Sequence, residues 1–255
     1  MEEPGATELP TSIRHGRTNG ARWQFFAPLV VISLIVVGLG AVYWSRYTSA
    51  PALPPQRDLA QEARADLERR NFRPLSAPLT ALLADTKYEP IPTQAHPLLL
   101  QPAPDFTLTD VNGKDWSLAD RLKEGPVVLV FYFGYHCNHC VSQLFALNKD
   151  LEKFRELGVT VVTISADPPE LTRQRFKQYG AFGFPVLSDP GNKIAQKYET
   201  YLANPKAPQE GDLLHGTFII SRQGEIAWAN RGDEPFTENR SLLHEIARIE
   251  RRLSK

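Results

Sequence analysis

Residues 131–140 have the sequence FYFGYHCNHC, and this stretch decides the fold. It ends a continuous apolar run, Val127–Phe133, which is typical of a strand buried on both faces, as in a parallel sheet. A Cys-x-x-Cys pair follows at once. Apolar residues then recur at helical spacing and predict a helix that ends at Gly158: Leu144, Leu147, Leu151, Phe154 and Leu157. The pair is therefore predicted to lie in a strand, turn and helix junction.

The placement of Cys137 and Cys140 indicates redox chemistry. A helix N-terminus carries unpaired N–H groups and a partial positive charge, which favour the thiolate of Cys137 and lower its pKa. Cys140, one turn later, can then close a small disulfide with it. Two buried structural cysteines or half of a zinc site are the alternatives, but these are the only cysteines in the sequence and no second pair completes a metal site. We predict that Cys137 and Cys140 are the catalytic residues.

Composition excludes several other classes of protein. The 255 residues are 42% hydrophobic, which is ordinary for a chain with a packed core. Lysine plus arginine and aspartate plus glutamate balance at 29 each, so no basic surplus exists to bind a nucleic-acid backbone. With two cysteines, neither a disulfide-stapled small fold nor a four-cysteine metal site is available.

The remaining pattern alternates between strands and helices. A second buried strand is predicted at Val159–Ser165, and Asp167-Pro168-Pro169-Glu170 is predicted to open the next helix with a capping pair of acids. Other predicted elements are a hairpin of 106–109 with 115–118, a hairpin of 217–221 with 225–229, and a helix at 237–252. Together they predict an α/β fold with a central mixed sheet covered by helices on both sides.

The N-terminal part predicts attachment to a membrane. Residues 1–22 form a polar tail, and residues 23–45 are uncharged between Arg22 and Arg46, long enough to cross a bilayer as one helix. A buried core helix and a cleaved signal peptide are the alternatives to this retained transmembrane anchor. Arginines before the run favour a cytoplasmic tail and a C-terminal domain outside the cytoplasm, on the periplasmic side.

Residues 46–97 are predicted to form a proline-rich linker. A charged stretch from Asp58 to Arg70 within it predicts one helix with a solvated face. Prolines recur from there to Pro104 and predict an extended arm. The folded domain is predicted to cover residues 98–255.

Six segments of this domain resemble one family. They are 103–108 (APDFTL), 113–118 (GKDWSL), 128–133 (VLVFYF), 164–167 (ISAD), 184–189 (FPVLSD) and 216–220 (GTFII). From about His96 to about Leu242 the chain resembles the thioredoxin superfamily. Within it the resemblance is to the peroxiredoxin-like branch, the alkyl hydroperoxide reductase and thiol-specific antioxidant family, also called redoxins. The resemblance implies a thioredoxin-like fold.

Departures from the family pattern bear on the reaction. Peroxiredoxins carry Pro, Thr and the peroxidatic Cys in this loop, where this chain has Phe133, Cys137 and Cys140, and His215 replaces their peroxide-polarising Arg. Aligned to thioredoxins, Cys137 is the attacking cysteine and Cys140 the resolving one. In that alignment Phe131 replaces a buried Asp, His136 an active-site Trp, and His215 the cis-proline. The thioredoxin assignment is preferred because Cys137 is the cysteine at the helix start.

Three histidines are predicted to support the pair. His139 precedes the second cysteine, as in disulfide-forming enzymes with Cys-Pro-His-Cys or Cys-Gly-His-Cys, which implies a role in stabilising the thiolate and making the disulfide more oxidising. The alternative is an exposed side chain without a role. His136 and His215 are the other supporting candidates.

A copper protein is a further alternative. Residues 133–137 resemble the loop of copper-delivery proteins used in cytochrome oxidase assembly, which bind Cu(I) with two cysteines and a histidine. Thiolates and imidazole suit that ion. Those proteins have three residues between the cysteines, and their histidine is expected nearer Leu213 than His215.

We therefore predict a membrane-anchored thiol-disulfide oxidoreductase, with a thiol-dependent peroxidase as the second hypothesis and copper delivery as the third. The reaction needs no cofactor. Expected partners are the membrane, a protein or small-molecule thiol or disulfide substrate, and a redox partner, but not nucleic acid.

Overall fold

A computed structural model of the chain describes residues 58–204 and 206–253. The predicted tail at 1–22 and the predicted anchor at 23–45 lie outside the described residues. Among the described residues, no helix is both long enough and apolar enough to cross a membrane.

Eight helices and nine strands lie within the described ranges. The helices are α1 Leu59–Arg69, α2 Leu79–Ala84, α3 Leu118–Leu122, α4 Asn138–Lys149, α5 Leu151–Glu156, α6 Pro169–Tyr179, α7 Lys193–Lys197 and α8 Asn239–Leu253. The strands are β1 Thr107–Thr109, β2 Asp115–Ser117, β3 Val127–Phe131, β4 Thr160–Ser165, β5 Val186–Ser188, β6 Tyr201–Asn204, β7 Ala207–Leu213, β8 His215–Ile220 and β9 Ile226–Gly232.

The central sheet is mixed and has the order β5-β4-β3-β8-β9. Strand β3 lies in the middle, parallel to β4 and antiparallel to β8. All five of its residues are buried, because it has a neighbouring strand on each side and packed side chains on both faces. The predicted mixed α/β sheet is confirmed.

Alternation along β3 divides the core into two layers. Val128 and Val130 point to a cluster that includes Leu144, Leu147 and Phe154 of helices α4 and α5. The other residues of β3 point to the opposite face, where the β1–β2 hairpin, α3 and α7 cover the sheet. Helices therefore lie on both faces of the sheet, as predicted.

The single helix predicted after the cysteines is divided in two at Asp150. The carboxylate of Asp150 accepts hydrogen bonds from the Leu75 backbone N–H at 2.8 Å and from the Asn239 side-chain amide at 2.8 Å. Asp150 is 2% exposed, so these partners satisfy its oxygens in the interior. Tertiary partners on distant segments thus explain a break that the apolar stripe does not show.

Helix α1 forms within the predicted charged stretch, but one of its faces is buried. It packs against α4, the helix that begins at the cysteines. Leu59 belongs to a buried cluster with Tyr135 and Val141, next to the cysteine pair. The described residues from 58 onward belong to one compact unit, which includes the stretch predicted as a linker from Asp58 to His96 and Pro97.

The proline-rich arm lies along strand β9. The Gln94 N–H donates to the Ala229 carbonyl at 2.8 Å, and the Leu100 N–H donates to the Ile226 carbonyl at 2.8 Å. Strand β9 pairs with β8 on its other side, so the arm covers an otherwise open sheet edge. This pairing explains why the arm is part of the compact unit.

Strands β6 and β7 form a separate antiparallel hairpin between α7 and β8. The hairpin reaches Leu213, and β8 starts two residues later at His215.

Candidate active site

The two cysteines form a disulfide at the start of α4. Cys137 is the N-cap residue, with extended backbone, and its N–H donates to the Gly134 carbonyl at 3.3 Å. Cys140 lies in the first turn, and the two Cα atoms are 5.4 Å apart. Cys137 is only partly buried, whereas Cys140 is 0% exposed. A sulfur atom from another molecule can therefore approach Cys137 but not Cys140.

The loop before Cys137 is held by Asp167. The Tyr135 N–H donates to the Asp167 carboxylate at 2.9 Å. Gly134 has a φ of 99°, and a Cβ atom on it would lie 2.5 Å from a carboxylate oxygen of Asp167. Glycine is thus required both by backbone conformation and by space. Burial raises the pKa of Asp167, against the hydrogen bond from Tyr135, which lowers it.

His215 lies directly beside the disulfide. The last residue of β3, Phe131, pairs with Gly216 of β8, and this register brings the neighbouring His215 to the loop. One ring nitrogen of His215 and the sulfur atoms of Cys137 and Cys140 all lie within 4.8 Å of one another. The ring centroid of His215 is 4.7 Å from that of Phe133. The three groups form a compact donor set.

A buried side-chain hydrogen bond fixes β8 against the helix of the cysteines. Gln143 of α4 donates to the Thr217 hydroxyl at 2.8 Å, and both residues are buried. Thr217 lies two residues after His215 in the same strand. This bond therefore sets the separation between His215 and the disulfide.

His215 is neutral near pH 7. It is 2% exposed, and burial lowers its pKa to about 4. Glu234 opposes this shift, while His139 and Arg70 add to it. Neither ring nitrogen has a hydrogen-bond partner among the described residues. His215 is thus a neutral donor group beside two sulfurs and not a source of positive charge.

The three histidines predicted to support the cysteines differ in their positions in the structure. It brings His215 to Cys137 and Cys140, while His136 and His139 lie exposed at the surface, one on each side of Cys137 in sequence. The roles predicted for His136 and His139 stay predictions.

Asp167 holds the loop before Cys137, whereas the sequence pattern predicted a different role for it. It was expected to cap the next helix, but α6 has Pro168 as its N-cap and no side-chain capping bond. Instead, its carboxylate accepts the hydrogen bond from the Tyr135 backbone N–H, in the loop that follows β3. The carboxyl ends of adjacent parallel strands lie at one edge, and this rule is the signal that could have linked Asp167, after β4, to the loop after β3.

A network of charged side chains connects α1 to the segment that follows β9. Asp66 is buried and accepts from Arg69 at 3.0 Å and from Arg70 at 2.8 Å. Arg70 also forms an ion pair with Glu234, which follows β9. The two arginines compensate the buried carboxylate, and Arg70 links α1 to the loop near His215.

Comparison with known proteins assigns the family. A family model described as the AhpC/TSA family matches residues 99–229, just over half of the sequence. The chain belongs to the AhpC/TSA family. The thiol-dependent enzyme predicted from the sequence is confirmed at the level of this family.

Known proteins similar to this chain include both a peroxiredoxin and a thiol-disulfide oxidoreductase. The chain is 40% identical over 98 residues to chloroplastic peroxiredoxin Q of Populus jackii, covering 38% of this chain and 45% of that protein. It is 28% identical over 144 residues to the thiol-disulfide oxidoreductase ResA of Bacillus cereus, covering 56% of this chain and 76% of that protein. The alignment thus spans less than half of the peroxiredoxin and about three quarters of ResA.

Solved structures agree on the fold. The crystal structure of peroxidoxin BcpB from Mycobacterium tuberculosis superposes with a TM-score of 0.52 at 22% identity, covering 61% of this chain and 98% of that one. The mitochondrial 2-Cys peroxiredoxin of Plasmodium falciparum gives a TM-score of 0.52 at 20% identity, covering 62% and 97%. The predicted thioredoxin-like fold is confirmed.

We expect Gly134→Ala to destabilise the protein more than Gly113→Ala. Both glycines have positive φ, but a Cβ at Gly113 meets nothing within 4 Å, whereas one at Gly134 collides with Asp167. The backbone strain is common to both, about 1 kcal/mol, and the collision adds roughly 1 to 3 kcal/mol at Gly134. Urea denaturation of the oxidised protein measures the difference, and it should disappear in an Asp167→Ala background. Equal losses at the two glycines would contradict this account of the loop.

We expect the burial of His215 to weaken the fold as the pH falls from about 6.5 to about 4. In this window the unfolded chain binds a proton on this histidine, with an ordinary pKa of about 6.5, while the folded chain does not. The cost reaches roughly 3 kcal/mol at the low end. The measurement is the free energy of unfolding against pH for the native chain and for His215→Gln. Parallel curves would show that this titration does not affect stability.

Proposed function

We propose that this AhpC/TSA chain is a thiol-disulfide oxidoreductase that works through Cys137 and Cys140. One observation carries the proposal: the disulfide joins a partly exposed cysteine at a helix N-terminus to a fully buried cysteine one turn later. The exposed position suits the attacking residue, and the buried one suits the residue that resolves the intermediate.

The reduced dithiol transfers two electrons to a substrate disulfide. The Cys137 thiolate attacks one substrate sulfur, the substrate S–S bond breaks, and one substrate thiolate leaves. Cys140 loses its proton and attacks the Cys137 sulfur of the mixed disulfide, which releases the second substrate thiolate and forms Cys137–Cys140. The reverse sequence oxidises a dithiol substrate.

The surroundings of the pair stabilise the Cys137 thiolate without a buried cation. The unpaired N–H groups of the first turn of α4 supply partial positive charge at Cys137. His215 contributes a neutral ring, because its pKa is lowered to about 4. A thiolate at Cys137 is therefore favoured mainly by the helix N-terminus.

Peroxide reduction is the weaker alternative for this site. By its resemblance to peroxiredoxins, Cys140 would have to attack the peroxide. Yet Cys140 is 0% exposed and bonded to Cys137, and His215, at the position of the family arginine, is neutral. Access and charge both favour disulfide exchange at Cys137.

Binding of Cu(I) is a second candidate function, supported by the three donor groups. In copper-delivery proteins the histidine is expected nearer Leu213, but in this fold one ring nitrogen of His215 lies within 4.8 Å of both sulfurs. Two thiolates and an imidazole with unpartnered nitrogens suit Cu(I). Only the reduced pair offers thiolate ligands, so copper binding and disulfide formation exclude each other.

Attachment to a membrane, with the enzyme outside the cytoplasm, stays part of the proposal. The apolar run at 23–45 supports it. The substrate is a thiol or disulfide compound, and a separate redox partner restores the dithiol.

We expect Cys140→Ser and Cys137→Ser to behave differently toward an aromatic disulfide such as dithiobis-nitrobenzoate. In reduced Cys140→Ser, Cys137 attacks and stays trapped as a mixed disulfide, since no resolving thiol is present. In Cys137→Ser, the buried Cys140 reacts about tenfold or more slowly. Intact mass and released chromophore measure both.

The native chain is the control and should release two equivalents without a lasting adduct. The opposite pattern, with no adduct in Cys140→Ser and rapid formation of a sulfenic acid by peroxide in Cys137→Ser, would support the peroxidase hypothesis instead.

We expect reduced native protein to take one equivalent of Cu(I) from a chromophoric chelator if the donor set binds metal. Cys137→Ser should abolish this, and His215→Gln should weaken it by about tenfold or more, because one of three ligands is lost. His96→Gln is the matched control, since His96 is also buried but packs against Phe218. Retention of all copper by the chelator, or equal binding by His215→Gln, would exclude this candidate.

A further inference from the structure

A groove of about 410 Å³ lies beside the cysteine pair. We call it the hairpin groove, because most of its wall comes from the β6–β7 hairpin and from Leu214, which follows it. The other wall comes from the loop before Cys137 and from the end of β9. Its lining residues are Phe133, His136, Leu202, Gly211, Asp212, Leu213, Leu214 and Asp233.

The hairpin groove adjoins the reactive disulfide directly. His136 is the residue immediately before Cys137, and the Phe133 ring is 4.7 Å from the ring of His215, which itself lies within 4.8 Å of both sulfurs. A molecule that occupies the groove is therefore positioned next to Cys137, the sulfur that a substrate can approach.

The lining combines apolar surface with negative charge. Leu202 is 47% exposed and is one of few large apolar side chains so exposed among the described residues. Phe133, Leu213 and Leu214 are partly buried beside it. Apolar surface that is left open beside a reactive centre is typical of a binding site.

Two carboxylates give the groove its charge. Asp212 and Asp233 are exposed, and neither forms an ion pair with another described residue. The lining contains no lysine or arginine. By contrast, the neighbouring Glu234 is compensated by Arg70. Anionic molecules are thus disfavoured in the groove, and cationic ones are favoured.

We propose that the hairpin groove binds an extended polypeptide segment in which apolar and basic residues flank the reacting cysteine. This inference rests on the proposed disulfide exchange at Cys137 and names its substrate class. The apolar lining accepts a flanking side chain, and Asp212 and Asp233 attract flanking lysine or arginine. Small acidic disulfides, such as glutathione disulfide, fit the same sulfur chemistry but not this charge.

The test uses three disulfide-linked peptide dimers of the same length. Each has leucine beside the cysteine, and the three differ in their outer residues, which are lysine, glutamine or glutamate. Flanking charge also changes the intrinsic reactivity of a disulfide, so each rate with reduced protein is divided by the rate with dithiothreitol. At low salt, we expect a corrected preference of about tenfold for the lysine peptide over the glutamate peptide, with glutathione disulfide as slow as the latter. The preference should fall as salt rises.

Variants assign the preference to the groove. Asp212→Asn and Asp233→Asn should each reduce the ratio by about twofold to fivefold, and the double variant should abolish it. Asp115→Asn is the control, since Asp115 is exposed and lines a different cavity with Thr160 and Pro185, at the opposite end of the sheet. Leu202→Ser should slow all three peptides, whereas Leu253→Ser, 46% exposed on α8, should not.

The outcomes distinguish a failure of the proposed disulfide exchange from a failure of substrate binding in the hairpin groove. If the native protein reduces none of the peptides, glutathione disulfide or dithiobis-nitrobenzoate, the proposed exchange is wrong. If it reduces the glutamine peptide but shows a charge ratio near one, or keeps the ratio in the double variant, the exchange holds and the assignment of the hairpin groove is wrong.

Discussion

The pairing of β3 with strands on both of its sides is the constraint on which the rest of the site depends. Its last residue, Phe131, pairs with Ile164 of β4 and with Gly216 of β8. The loop that leaves β3 is therefore enclosed between the end of β4, which supplies Asp167, and the start of β8, which supplies His215. Three segments far apart in the chain meet at one sheet edge, and each contributes a group that positions or borders the cysteines.

Burial then gives the two sulfurs unequal properties. Cys140 and His215 are packed in the interior, and this keeps His215 neutral and shields Cys140 from large reactants. Cys137 stays partly exposed at the helix N-terminus, where the backbone N–H groups supply the field that a thiolate needs. The reaction is thereby directed through one sulfur.

Two elements outside the central sheet lie around the cysteine pair. Helix α1 packs on the helix of the cysteines and supplies Arg70, which pairs with Glu234 near His215. The β6–β7 hairpin lies on another side and forms a wall of the hairpin groove. The sheet thus positions the loop and helix that carry the two sulfurs, while these additions form surface beside them. Differences in substrate among proteins of this fold are expected to arise from such additions.

The sequence alone determined the strand, turn and helix junction, because periodicity and the Cys-x-x-Cys spacing are local. The run Val127–Phe133 and the placement of Cys137 before a helix needed no distant partner to be recognised, although strand β3 ends at Phe131. Only the tertiary structure decided the break at Asp150, the change of Asp167 from helix cap to loop anchor, and the contact of His215 with both sulfurs. Each of these depends on strand register and on partners from remote segments, and a one-residue change of register would turn His215 to the opposite face of the sheet.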